Sequence, residues 1–154
     1  MKIFCDTSVL VAASLQTHLH HEPAKAALLR IRQGHDEGYA CAHALAETFS
    51  VLSRMPTKPK LLPEDVLDIL KQGIIPHFIF VALQSEDYPL AISDLVAKRM
   101  GGGRIYDLLH LRAAGKLALD RIYTFNDSEW KTLSPAQASV ICAPPTVPTT
   151  PPRS

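Results

Sequence analysis

The chain has 154 residues and a mass of 16.9 kDa, enough for one domain with a substantial core and too short for two full ones. Apolar types make up 47% and charged types 20%, and 16 Lys and Arg against 15 Asp and Glu leave a net charge of +1; a polycationic nucleic-acid coat is excluded, a local basic patch is not. Cys5, Cys41 and Cys142 form no CxxC and cannot all pair, and no apolar run reaches the ~18 to 20 residues that span a bilayer. Neither a disulfide framework, a zinc ribbon nor a membrane span is indicated, and a cytoplasmic location is expected.

Lys2-Ile3-Phe4-Cys5 reads as a strand that stops at Asp6-Thr7-Ser8, side chains able to accept backbone N–H bonds at a helix start, before the helical run Val9 to Ala13. Glu22-Pro23 opens a second helix with Ala24, Ala27, Leu28 and Ile31 on one face, and Gly34 and Gly38 bracket the loop that follows. Tyr39 to Ala42 is a weaker strand. After it, Leu45, Phe49 and Leu52 recur at helical spacing and predict one buried stripe, with Glu47 off it. Met55 to Leu62 is a Pro- and Lys-containing loop, and Pro63-Glu64-Asp65 restarts a helix. Phe78 to Val81 is the third strand, Pro89 to Met100 a helix stopped by Gly101-Gly102-Gly103, and Ile105 to Leu117 another helix containing Asp107. Arg121 to Phe125 is the fourth strand, ending at Asn126-Asp127-Ser128, and Ser139 to Cys142 a last one. The segment 143–154 holds five prolines and is expected to be an extended, mobile tail to a domain spanning 1–142. Strands alternating with helices imply an α/β fold: a parallel sheet of four to five strands with helices on both faces.

In such a sheet, ligand-handling side chains gather beyond the carboxyl ends of the strands. Asp6 follows the first strand, Glu47 lies early in the helix after the second, and Asn126-Asp127 follow the fourth. Asp107 sits within a helix between Tyr106 and Leu108-Leu109, company that would bury it. Singly, each acid has an ordinary explanation: a helix cap for Asp6 and Asp127, an exposed charge for Glu47, an arginine partner for Asp107. Brought together, two carboxylates ~4 Å apart repel by roughly 4 kcal/mol at an effective dielectric of 20, so a cation or a proton must join them. Oxygen donors with no Cys or His cluster favour Mg²⁺ or Mn²⁺ over zinc.

Asp6-Thr7-Ser8-Val9-Leu10, then Ala46-Glu47-Thr48 with Leu52-Ser53-Arg54, then Gly103-Arg104-Ile105-Tyr106-Asp107-Leu108-Leu109, and finally Tyr123-Thr124-Phe125-Asn126 with Trp130, resemble the PIN-domain ribonucleases, in particular the VapC toxins of type II toxin-antitoxin systems. The resemblance covers residues 1 to about 142. It implies strand order 3-2-1-4-5, a Mg²⁺-dependent endoribonuclease leaving 5′-phosphate and 3′-hydroxyl ends, a cognate antitoxin protein and a homodimer. It implies Asp6 and Asp107 as metal ligands, Glu47 as a further catalytic acid, and Thr7 and Ser8 as supports. At the fourth acidic position many relatives carry Asp where this chain has Asn126, so either Asp127 serves or three acids suffice. RNA phosphates would meet Arg54, Lys58, Lys60 and Arg104.

Other signals point elsewhere or nowhere. His18-Leu19-His20-His21 reads as a surface turn rather than a metal site, and His110, three residues after Asp107, as a packed or solvated helical histidine that can approach the acids. Trp130 is expected in the core. No GxSxG or GK[ST] follows the usual positions, so nucleophile elbows and phosphate loops find no support. A catalytically silent RNA- or protein-binding module of the same fold, or a housekeeping nuclease, is the alternative; a phosphatase fails for want of an Asp-x-Asp.

Overall fold

β1 (Lys2–Cys5) runs through the middle of the sheet and sets its two faces by simple alternation: Ile3 and Cys5 pack into one apolar cluster, Phe4 into the other. In this computed structural model, which describes residues 1–146, four further strands join it: β2 (Glu37–Cys41), β3 (Phe78–Val81), β4 (Arg121–Tyr123) and β5 (Ile141–Cys142). Their order is β3-β2-β1-β4-β5, and every pairing is parallel, as expected from the resemblance. The helical crossovers cover both faces. On one side lie α1 (Thr7–Ser14), α2 (His21–Arg32), α3 (His43–Arg54) and α4 (Pro63–Ile69); on the other, α5 (Asp87–Ala97), α6 (Arg104–Gly115) and α7 (Asp127–Leu133). None of the described helices is long and apolar enough to cross a membrane.

Local chemistry explains the boundaries. Asp6 is the N-cap of α1, accepting the Ser8 N–H at 3.0 Å. α2 ends in paired bonds, Gly34 N–H to Ile31 O and His35 N–H to Arg30 O, and Gly34 takes the positive φ of +75° that this stop requires. Pro63 opens α4, and the Asp65 carboxylate accepts the Leu62 N–H.

Several expectations shift. Gly38 does not bracket the loop after α2 but lies inside β2, because Ile31 and Phe78 press so closely that a side chain would collide with them. The buried face of α3 is Ala44, Thr48 and Leu52, whereas Phe49 is 38% exposed; the small residues let the helix approach the core and rotate the predicted stripe outward. The helix expected from Pro89 begins at Asp87, whose carboxylate accepts the Gln84 N–H. β4 ends at Tyr123, since Thr124 and Phe125 turn into the site described below. The segment after Asn126, left without an element by the sequence, forms α7. Trp130 is fully buried, as expected, and Cys5 and Cys41 are free, buried thiols, with burial pushing both thiol pKa values up. The proline-rich segment is described only as far as residue 146; the rest lies outside the described residues.

Candidate active site

The parallel register sets the ends of β1 and β4 side by side: Cys5 pairs with Tyr123, and the Asp6 N–H donates to the Tyr123 carbonyl. The next residues on the two strands therefore meet. Asp6, 4% exposed, accepts the Thr124 hydroxyl at 2.6 Å and the Ser8 hydroxyl at 2.8 Å, both on Oδ2. Each hydroxyl is itself aimed by a backbone N–H it accepts, Phe125 N–H on Ser8 Oγ and Asn126 N–H on Thr124 Oγ1. Such chained bonds polarise one another and hold the Asp6 carboxylate in one orientation.

A pocket of about 430 Å³ opens over this carboxylate, and Thr7, Ser8, Glu47, Asp107 and Asn126 share its lining with Asp6. Asp107 comes from the first turn of α6. Burial, and after it the charge of Asp6, push the Asp107 carboxyl up to about 6; Glu129 adds to the rise, while the nearby Trp130 indole and His110 oppose it. The indole N–H is buried and completes no hydrogen bond of good geometry. Glu47 comes from α3, and its Oε1 is held by His110 Nε2 at 2.7 Å and approached by His43 Nε2 at 3.4 Å. Burial acts to raise the Glu47 carboxyl, but the His110 hydrogen bond and charge, with His43 and Thr7, outweigh it and hold the pKa below the ordinary glutamate value. His110 responds oppositely: burial lowers its pKa, and the Glu47 hydrogen bond and charge, with Asp6 and Asp107, more than restore it, while its Nδ1 is buried without a partner.

The remaining candidates lie elsewhere. Asp127, one residue past Asn126, does not line the pocket and bonds Lys131 Nζ at 3.1 Å, one turn along α7. Arg104 pairs with Glu129 at 2.8 Å, Arg54 donates to the Ser50 carbonyl, and Lys58 and Lys60 are exposed on the loop after α3. Thr124, His18, His20 and Phe125 belong to the site although the sequence reading assigned them no part in it. Thr124 carries a legible signal, a hydroxyl at the end of the strand neighbouring that of Asp6; the histidines carry none, because only the packing of the α1–α2 turn brings them here.

Two carboxylates that line one pocket, one of them driven toward protonation by burial and then by the charge of the other, form an oxygen donor set of the kind divalent ions take up. Among the described residues, no three His, Cys, Asp or Glu side chains stand together in a metal-holding arrangement. Mg²⁺ does not require one, since it keeps several waters and takes one or two carboxylates together with substrate phosphate. Asp6 and Asp107 fit that need, with Glu47 drawn aside by His110.

A sequence model of the PIN domain matches residues 3–133. Ribonuclease VapC27 of Mycobacterium tuberculosis (strain ATCC 25618 / H37Rv) is 32% identical over 111 residues, 72% of this chain and 75% of that protein. Ribonuclease VapC40 of the same species is 35% identical over 119 residues, 75% of this chain and 83% of that protein. Among solved structures, the fold is that of M. tuberculosis VapC20, described as a sarcin-ricin loop cleaving toxin, with a TM-score of 0.66, 17% identity, and 86% of this chain and 95% of that chain covered. It is also that of a chain in the structure of VapBC2 from Rickettsia felis bound to a DNA fragment from their promoter, with a TM-score of 0.58, 19% identity, and 87% of this chain and 94% of that chain covered. On the strength of the domain match and of relatives aligned over most of their length, the chain belongs to the PIN-domain family, among its VapC-type ribonucleases.

Proposed function

We propose that the protein is a Mg²⁺-dependent endoribonuclease, the toxin of a toxin-antitoxin pair, and that Asp6, Asp107 and Glu47 carry the reaction. The observation that carries this reading is the convergence of the three acids, from the end of β1, from α6 and from α3, on one pocket. Asp6 and Asp107 would hold the divalent ion. When bound, the ion supplies Lewis acidity, activating water and offsetting charge on the phosphoryl oxygens. Ser8 and Thr124 keep the Asp6 carboxylate turned to its task, so no reorientation is needed as substrate arrives. Glu47 stays ionised beside His110, and because both histidines take Oε1, Oε2 is left to accept the hydrogen of the attacking water. Asn126 contributes a carbonyl and an amide but no charge. Thr7 lies close enough to influence Glu47.

The RNA products carry 5′-phosphate and 3′-hydroxyl ends. Arg54, Lys58, Lys60 and Arg104 lie outside the pocket, and as cations they would serve phosphates that flank the scissile one. A homodimer and a small antitoxin protein complete the expected assembly. Purified protein incubated with RNA and Mg²⁺ or Mn²⁺ is expected to cleave it, and Asp6→Asn and Asp107→Asn to abolish the cleavage; undiminished activity in those variants rules the assignment out. Expression alone is expected to arrest growth, and co-expression of the antitoxin to relieve it.

A further inference from the structure

We propose that His18, His20 and Phe125 form a nucleobase-binding wall of the acidic pocket, taking one unstacked base next to the scissile phosphate; the inference rests on the nuclease reading above. The turn between α1 and α2 carries a run of histidines whose members do different things. His21 points inward, its Nδ1 2.9 Å from the Ala12 carbonyl, and serves the core. His18 and His20 instead line the pocket that holds Asp6, Glu47 and Asp107. The His20 ring lies on that of Phe125, centroids 4.3 Å apart and planes 12° from parallel, so two distant parts of the chain build one flat aromatic step at the pocket wall. His18 leans on it, its centroid 5.9 Å from that of His20.

The chemistry of these rings selects the ligand. His18 Nδ1 accepts the His20 N–H at 3.1 Å, which leaves the ring's hydrogen on Nε2 as a donor of fixed direction. Burial, then the neighbouring His20 and His21, lower the His18 pKa and favour the neutral ring. The His18 Nδ1 is engaged by backbone and is not free to ligate a metal. Flat aromatic rings with one directed donor, beside a pocket lined by three acids, suit the face and edge of a nucleobase better than a phosphate. Aromatic side chains that stack on unpaired bases are the usual means of holding single-stranded RNA.

The test uses the full-length protein. The 5′-phosphate ends produced from total RNA with Mg²⁺ are mapped by sequencing, and a synthetic RNA carrying the cut site is made with an abasic nucleotide at each flanking position in turn. At one of these positions, loss of the base is expected to raise KM for the wild-type protein about tenfold, the usual scale of one base–aromatic stack. His20→Ala is expected to raise KM on intact RNA by a similar factor and to be indifferent to that abasic site, while His20→Phe keeps the wild-type KM. Should His20→Ala melt early, Phe125→Leu, which keeps an apolar filler beneath His20, is read in the same way. Unchanged KM in these variants, or equal losses on intact and abasic RNA, overturns the wall and leaves the nuclease standing. Failure of the wild-type protein to cut any RNA with Mg²⁺ or Mn²⁺ overturns the nuclease reading and the wall together.

Discussion

His110 Nε2 lies 2.7 Å from Glu47 Oε1 across a separation of 63 residues, and His110 is 1% exposed. A buried histidine thus holds one oxygen of a pocket acid in place. His110→Leu is expected to lower kcat about tenfold and stability by about 1–3 kcal/mol, the cost of leaving a partly buried charge without its hydrogen bond. His110→Gln, which keeps a donor there, recovers part of both. The pH dependence has two edges. Glu47 is depressed, so its contribution is present above the ordinary glutamate range and lost as pH falls through its folded value; His110 is raised, so its contribution is complete below the ordinary histidine range and lost as pH rises through its folded value. Chemical denaturation across pH, compared between wild type and His110→Leu, measures both.

Asp107 shows the opposite sign. Its carboxyl moves from 3.8 to about 6, so between those values the folded chain binds a proton that the unfolded chain has released. Stability of the metal-free protein therefore falls as pH rises through this window and stays lower above it. Melting temperatures measured in EDTA are expected to drop across this interval in the wild type and less in Asp107→Asn, which melts higher at neutral pH. Mn²⁺ reverses the order by raising the wild type alone.

Asn126 and Asp127 separate cleanly. Asn126 lines the pocket, whereas Asp127 is bound to Lys131. Asn126→Asp is expected to tighten Mn²⁺ binding measured by calorimetry, because it adds a carboxylate to the pocket, and Asp127→Asn to cost far less activity than Asn126→Ala.

Gly38→Ala tests the core rather than the chemistry. The new Cβ would stand 2.7 Å from Ile31 Cγ2 and 3.1 Å from two ring carbons of Phe78, so α2 or β3 must give way. A loss of about 1–3 kcal/mol in denaturant unfolding is expected, the range for overpacking a tight core.

The order of strands and helices was legible in the sequence because each is written locally. Apolar runs of four or so residues mark β1 and β3, Asp6 and Pro63 announce helix starts, and Gly34 announces a stop. Asp6 and Asp107 stood out for the same reason, an acid at a strand end and an acid in apolar company. α3 was harder, since Thr48 is buried while Phe49 is not, and the helix's rotation depends on how closely Ala44 lets it approach.

What the sequence alone determined is therefore the α/β architecture and the set of acids available to it, because spacing and capping act over a few residues. Tertiary structure decided which groups face one another: Thr124 beside Asp6, His110 on Glu47, Asn126 rather than Asp127 at the pocket, and two turn histidines at its wall. Those choices arise where parallel strands end side by side. There, a step of one residue turns a side chain from the site to the solvent, and no local pattern records which strands will be neighbours.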